Sequence, residues 1–405
     1  MDTPFTADEA AAFIGWRGFV TGPSRRVGVE LEWLVEPRGD LETGWDLPNG
    51  GGVSREAGGQ VEMSSAPCDD LAACIASAEA DQAALEAALA TRGQTVRGGG
   101  FDGSVNPVRY VDDDRYRTME RYYDRDGPWG RMVMCGTASV QVNLDAGDDD
   151  AELRRRWDLA HRLGPVLIAS FANSPELDGR PSGWNSTRQA LWGKLPGWGR
   201  AVSEEGDLRR DFAQWVLGSE VMCHRCDPPR PWDVPAGMTL RDWIRHGHDG
   251  RWPTRDDVEY HMSTLFPPVR PRGWLELRMI DQQHGDGWIV PAIVAATLMD
   301  DRRAAAAAYE ATEALCEGRP QPPTHMWEEA ARIGLADDTL HEAALACFAA
   351  SAEALVRADA PQRLRSRLAE FRRRYTDLRR CPADDWLDRL RGGAPPRLEE
   401  AAPAL

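Results

Sequence analysis

Lysine is almost missing from this chain. Lys194 is the only one in 405 residues, so 47 of the 48 basic side chains are arginine. A phosphate loop built around a lysine therefore has one candidate at most, and Lys194 stands in no glycine-rich run. Histidine is scarce as well: of eight, none forms the His-Glu-x-x-His pair of a zinc protease, and no metal is assigned to them. Paired Cys-x-x-Cys motifs are absent too. Cys223-His224-Arg225-Cys226 stands alone, which favours free thiols over a structural zinc or a redox pair. The longest apolar stretches, around 165–172 and 291–299, are too short to span a bilayer. The first residues show neither a basic region nor an apolar one, so no secretory signal is expected. Together these features predict a cytoplasmic protein with no membrane partner and with reduced cysteines. A net charge of −17 disfavours nucleic acid and anionic membranes as partners, although it leaves room for a nucleotide arriving with its metal.

What is present is a globular composition, 42% hydrophobic with 16 tryptophans, and one unusual strand. In Val27-Gly28-Val29-Glu30-Leu31-Glu32-Trp33-Leu34-Val35, apolar residues occupy the odd positions, the period of a half-buried strand. Glu30 and Glu32 then share a face, roughly 6.5 Å apart. At that distance two carboxylates repel by about 2.5 kcal/mol at an effective dielectric of about 20. Either the face is a solvated edge, or a cation belongs there.

The pattern recurs. Val61 and Met63 oppose Gln60, Glu62 and Ser64, and Leu275, Leu277 and Met279 oppose Glu276 and Arg278. From Met132 to Leu144 the even positions are mainly apolar, while Thr137, Ser139, Gln141 and Asn143 take the other face. These faces carry carboxylates, amides and hydroxyls rather than mixed surface charge, and they read as the lining of one concave polar site. Between and after the strands come helical patterns over 70–91, 152–171 and Thr254 to about Leu265, the last stopped by Pro267-Pro268. Residues 94–111, with Gly98-Gly99-Gly100, read as a bulge or tight strand corner. Residues 173–200 lose all periodicity and read as one long, tryptophan-bearing loop. Helices dominate after Pro291. Antiparallel strands with helices and no βαβ fingerprint predict an α+β fold. The division expected is a core over 1–291, a helical part over 292–391 packed on it, and a disordered tail over 392–405.

Seven collinear segments resemble glutamate–cysteine ligases of the plant-like type, most of all the bacterial branch that makes γ-glutamylcysteine for ergothioneine synthesis. They are Val-Gly-Val-Glu-Leu-Glu (27–32), Arg-Glu-Ala-Gly-Gly-Gln-Val-Glu-Met-Ser (55–64), Thr-Ala-Ser-Val-Gln-Val-Asn-Leu-Asp (137–145), Phe-Ala-Asn-Ser-Pro (171–175), Ser-Thr-Arg-Gln-Ala-Leu-Trp (186–192), Tyr-His-Met-Ser-Thr-Leu-Phe-Pro-Pro-Val-Arg (260–270) and Trp-Leu-Glu-Leu-Arg-Met-Ile-Asp (274–281).

The resemblance implies a glutamine-synthetase-like curved antiparallel sheet forming an active-site funnel. It implies ATP and Mg²⁺, with Mn²⁺ as a substitute, and the substrates L-glutamate and L-cysteine. ATP phosphorylates the γ-carboxylate of glutamate, and the cysteine amine attacks the acyl phosphate. Carried over by position, Glu30, Glu32, Glu62 and Glu276 are metal or metal-phosphate ligands, with Glu56 next. Arg278 with Glu276 forms the catalytic pair, Arg278 neutralising phosphate charge. Arg188 clamps the glutamate carboxylate by a two-pronged pair, away from the acidic strands. Gln141, Thr137, Asn143 and Gln60 supply further substrate contacts. Tyr260 and His261 are packing and capping residues. Relief of repulsion in Glu30→Gln or Glu276→Gln is expected to leave the fold intact and even to raise the metal-free melting temperature. After Trp192, Gly193-Lys194-Leu195-Pro196 replaces the acidic, arginine-bearing stretch of the family, leaving open a changed acceptor or a repositioned lid. The alternatives are a ligase using glutamate with another amine, a non-catalytic Mg-nucleotide or amino-acid binder, and an acidic protein whose glutamates lie on its surface. A monomer or homodimer is expected.

Overall fold

A computed structural model describes residues 5–23, 25–39, 45–195, 206–227 and 230–392. The strands are β1 (Val27–Glu36), β2 (Gly52–Arg55), β3 (Val61–Ser64), β4 (Thr95–Arg97), β5 (Ser139–Asp145), β6 (Glu176–Leu177), β7 (Arg180–Pro181), β8 (Val269–Pro271) and β9 (Trp274–Asp281). Seven of them form one antiparallel sheet in the order β2-β3-β1-β5-β9-β8, with β4 on the far end of β1. β6 and β7 make a separate hairpin.

The alternation of β1 does what the period requires: Val27, Val29, Leu31, Trp33 and Val35 are all buried on one side, against half-buried Glu30 and Glu32 on the other. Val140, Val142 and Leu144 of β5 and Leu275 and Leu277 of β9 continue the apolar side. That side is covered by the helices Leu71–Ala90, Asp150–Phe171 and Ile289–Asp300. The helix Ile289–Asp300 is buried over nearly its whole surface, with only Asp300 partly exposed, and it straddles the boundary drawn at 291/292. One hydrophobic cluster runs from Ala10 through the sheet to Leu368, so the C-terminal helices and the sheet share a core. The helix Asp338–Arg357 buries Leu340, Ala344, Cys347, Phe348, Ser351 and Leu355, the face its sequence period marks. It is also the one described helix long and apolar enough by composition to cross a membrane, yet its apolar face is buried inside the fold. The tail beyond residue 392 lies outside the described residues.

Two local expectations are corrected. The run from Met132 to Leu144 is not one strand: Trp129–Gly136 is helical and the strand begins at Ser139. Met132, Val133, Met134 and Cys135 are buried on both faces, so alternation there was a coincidence of composition. Nor is 173–200 a single loop. It holds the β6–β7 hairpin, turning on Asp178 and Gly179 at φ 52° and 71°, and the helix Thr187–Trp192 capped by Ser186. Elements this short carry no readable period. Residues 196–205 of the loop lie outside the described residues.

β9 carries one residue more than its partner. Between Ile280 and Leu277 it takes three steps while β5 takes two from Val140 to Val142, a bulge that contains Arg278. The glycine triplet is a close-approach corner. A Cβ on Gly100 would lie 2.4 Å from the Asp281 carboxyl carbon, and one on Gly98 would lie 2.3 Å from the Gln283 carbonyl oxygen. Gly100→Ala should therefore cost about 1–3 kcal/mol of stability as an overpacked site. A urea titration checks this, and an unchanged midpoint would show that Asp281 can move aside.

Candidate active site

The polar residues line up in rows across the sheet because register fixes their neighbours. Ser54, Glu62 and Glu32 stand opposite one another on β2, β3 and β1. Ser64, Glu30 and Gln141 form the next row, and Gly28, Asn143 and Glu276 the third. Glu32 directly opposite Glu62 is a like-charge cross-strand pair, an arrangement that destabilises a sheet unless a cation joins it.

Each carboxylate is held by neutral donors. The Ser139 hydroxyl and the Gln141 amide donate to Glu32 at 2.9 and 2.7 Å, and the Asn143 amide donates to Glu30 at 3.0 Å. Ser54 donates to Glu62 at 3.0 Å, and the Tyr116 hydroxyl to Glu56 at 3.0 Å. Among the described residues, none of these four glutamates forms an ion pair. Burial raises the Glu62 carboxyl well above its ordinary value, and Glu56, Glu30 and Glu32 push it further. Burial and then Glu32 raise Glu56, while burial and then Glu276 raise Glu30. Crowded carboxylates of hard oxygen with no cationic partner suit Mg²⁺ or Mn²⁺ better than they suit a softer ion.

Glu276 is different. The Arg270 guanidinium grips both its oxygens, at 2.7 and 2.8 Å, and Arg278 donates to it as well as to Gln141. Burial works to raise its pKa, but Arg270 and Arg278 outweigh that and hold it at about 2. Its charge is thus already balanced within the protein.

These opposite shifts set the pH response of the metal-free protein. An unfolded glutamate releases its proton near 4.5, and folded Glu30, Glu56 and Glu62 release theirs higher. In that window the folded state holds more protons, so stability falls as pH rises above 4.5 through the raised folded values. The contribution of Glu276 runs the other way, present above 4.5 and lost as pH falls toward about 2. Melting curves against pH in chelator should decline across that window and level off above it, and millimolar Mg²⁺ should flatten the decline. A chelated protein with no such slope would mean that the glutamates are not crowded in solution.

Arg188 sits in the short helix after Ser186. It donates through Nη2 to the Arg278 carbonyl at 2.8 Å, and its Nη1 lies 3.8 Å from Asp281. Although it is 2% exposed, its Nε and Nη1 hydrogens find no hydrogen-bond partner. This corrects the expectation that Arg188 stands away from the acidic strands. It lines the same cleft as Glu32, Glu56, Gln60, Thr137 and Arg278. Loop 173–195 folds back onto β9, and Asp281 is the tie: it accepts from the Asn173 backbone at 2.9 Å, from Ser174 at 2.6 Å and from Ser186 at 2.9 Å.

The amide and hydroxyl candidates turn out to be occupied. Gln141 bridges Glu32 and Arg278, and Asn143 joins Glu30 to the Trp274 indole. The Thr137 hydroxyl donates to the Val133 carbonyl at 2.7 Å. Gln60 donates to the Thr137 carbonyl at 2.9 Å and leaves its own oxygen unpartnered. Gln141 and Asn143 thus orient charged residues, whereas Thr137 and Gln60 brace backbone carbonyls. His261 is buried against the Val216 carbonyl, burial bringing it down to about 4, and Tyr260 packs under Arg115 and Arg225. Arg270, Tyr116 and Asp281 are the residues that sequence reasoning did not single out. A signal existed for Arg270, which faces Glu276 across β8 and β9. Tyr116 carried none, since it reaches Glu56 from a distant helix. Beyond Tyr123, Trp192 and Phe266 the cleft adjoins a second hollow that includes Gln214, Ser219, Glu220 and Met222.

A family model described as glutamate-cysteine ligase family 2 matches residues 26–402. The chain is 38% identical to glutamate–cysteine ligase EgtA of Mycolicibacterium smegmatis, covering 95% of this chain and 92% of that one. It is 38% identical to the Mycobacterium tuberculosis protein of the same name, over 97% and 92% of the two chains. Among solved structures, glutamate–cysteine ligase of Francisella tularensis in complex with AMP matches with a TM-score of 0.50 over 92% of this chain and 86% of that one. At 12% identity that likeness speaks for the fold alone.

Proposed function

We infer the chemistry from membership: this chain belongs to glutamate–cysteine ligase family 2 and is an ATP-dependent ligase that forms γ-glutamylcysteine from L-glutamate and L-cysteine. Its terminal phosphoryl donor is ATP. The γ-carboxylate of glutamate attacks the γ-phosphorus, ADP leaves, and the cysteine amine then displaces phosphate from the acyl carbon, losing a proton as the amide forms. Neither step needs a protein nucleophile; both need positioning and charge neutralisation.

The assignment of individual residues is our proposal. Mg²⁺, replaceable by Mn²⁺, would be held by Glu32, Glu56 and Glu62 with Glu30 beside them, and would supply the positive charge that lets a triphosphate approach a carboxylate. Arg278 faces the phosphoryl group undergoing transfer, because burial would lower its pKa but Glu276, Glu32 and Glu30 keep it firmly charged. Glu276 with Arg270 fixes its position more than it binds metal. Arg188 takes the substrate carboxylate. The observation that carries this reading is the meeting of opposite charges in one cleft: Glu32 and Glu56, with no ion-pair partner among the described residues, and the buried Arg188 guanidinium, whose Nε and Nη1 make no hydrogen bond. A place in ergothioneine synthesis, a cytoplasmic location, the absence of nucleic-acid and membrane partners and a monomeric or homodimeric state belong to the same proposal.

The test is ADP release with glutamate alone and then with each amino acid as acceptor, with Mg²⁺ and with chelator. Release that needs glutamate, a divalent ion and cysteine supports the reading. Strong release with another amine would move the chain to a different acceptor, and release in chelator would remove the metal.

A further inference from the structure

We propose that His224, His248 and Asp249 form a second metal site, a three-ligand centre for a divalent transition ion of the zinc class. It lies apart from the acidic cleft and ties the chain around residue 224 to the turn at 248–251. One ligand atom from each of the three residues lies within 4.8 Å of the others, the only such group among the described residues. His224 is 1% exposed, and its Nε2 is buried with no hydrogen-bond partner. A buried imidazole nitrogen is normally satisfied, so an unpartnered one on a histidine grouped with a second imidazole and a carboxylate points to a missing ligand. The two rings stand 5.0 Å apart between centroids at 63°, and His248 Nε2 is 3.8 Å from the Asp249 carboxylate.

The surroundings hold these groups in place. The His224 ring lies edge-on to Trp243 at 5.0 Å, and its backbone N–H donates to the Trp232 carbonyl at 2.8 Å. His248 and Arg251 pair through their backbones, with Asp249 and Gly250 at φ 48° and 75° between them. Arg251 is the neighbouring cation that most opposes a positive charge at His224. Its charge is already engaged by Asp257, at 2.6 and 3.1 Å, and its guanidinium lies over Trp243.

The donor set decides the ion. Two imidazoles and one carboxylate with an open fourth position suit zinc or cobalt, whereas magnesium takes oxygen ligands. Tetrahedral bonds of about 2.0–2.2 Å place ligand atoms roughly 3.4 Å apart, so binding draws the three together. In sequence the ligands fall in two motifs, Cys223-His224-Arg225-Cys226 and His246-Gly247-His248. The histidine of the first motif is the ligand, while its thiols are placed elsewhere. Cys223 is buried among Met119, Tyr123 and Met222, and Cys226 donates to the carbonyls of Arg230 and Pro231 at 3.4 Å. Glu220 and Met222, just before the ligand, line the hollow beside the acidic cleft, so this ion would brace that wall.

The test uses the full chain, stripped with chelator and returned to excess Mg²⁺, then titrated with Co²⁺ and back-titrated with Zn²⁺. One equivalent of Co²⁺ should produce visible d–d bands without a sulfur-to-metal charge-transfer band, and Zn²⁺ should bleach them and raise the melting temperature. Asp249→Asn keeps the left-handed turn, which asparagine tolerates, and His248→Ala removes a partly exposed ring. Each should weaken Co²⁺ binding by more than about 10-fold, the lower end of what losing even an outer-shell partner costs. The proposal is overturned by a wild-type protein that takes up no Co²⁺, by variants that bind as tightly as the parent, or by a charge-transfer band marking thiolate ligands. Activity is not the readout, so the outcome does not depend on the ligase reading.

Discussion

Glu62→Gln should abolish turnover, lowering ADP release by about 10²–10³-fold or more, yet melt above the parent protein when metal is stripped. Glu62 stands opposite Glu32 and beside Glu56, and Ser54 can donate to an amide oxygen as it does to the carboxylate. The substitution thus keeps the hydrogen bond and removes one like charge, a gain of about 1 kcal/mol in chelator. Glu30→Gln should behave the same way. Glu276→Gln should not. It leaves Arg270 and Arg278 buried without their shared counter-charge, which typically costs about 3–5 kcal/mol. The earlier expectation that Glu276→Gln relieves repulsion is therefore reversed, because the two arginines make Glu276 the stabilising member of its cluster. Melting curves of the three variants, in chelator and in Mg²⁺, separate the cases. Parent-like turnover in Glu62→Gln would remove it from the metal set, and a parent-like melting temperature in Glu276→Gln would show the arginines finding other partners.

The second large effect concerns Arg188. Arg188→Lys keeps a positive charge but loses the planar fork, including the bond to the Arg278 carbonyl. The apparent affinity for glutamate should fall at least tenfold, about 1.4 kcal/mol, while that for ATP changes little. Because Arg188 shares its cleft with Glu32 and Arg278, this division is a sharper claim than distance alone would make it. Paired saturation curves decide it. If the ATP curve shifts and the glutamate curve holds, Arg188 serves the nucleotide.

The sheet and its polar face were legible because both follow from a period of two. Glu30, Glu32 and Glu62 could be placed from side-chain alternation before any partner strand was known. Register is a different matter. That Glu32 opposes Glu62, or that Asn143 opposes Glu276, depends on pairings between residues far apart in the chain. The bulge at Arg278 was invisible for the same reason, and so were the tie from Tyr116 to Glu56 and the three hydrogen bonds converging on Asp281. The short hairpin and helix inside 173–195 were missed because a two-residue strand has no period to read. What sequence could not tell was which polar groups were already spent: Gln141 and Asn143 look like free ligands in the chain and are hydrogen-bonded on both sides in the fold.

The strand order also sets a timetable for biosynthesis. β5 is central in the finished sheet, paired with β1 on one side and β9 on the other. Trp274 follows Asp145 by 129 positions, so the outer edge of β5 stays open while that stretch is made. At about 5–20 residues per second this lasts roughly 6–26 s, during which a strand rich in valine and leucine offers unpaired backbone to any other nascent chain. Asp281, the residue that pulls loop 173–195 over the cleft, is the last of β9 to emerge. A ribosome stalled before residue 274 therefore carries the four uncompensated glutamates but no pocket, and it exposes the one sheet edge that the mature fold never shows.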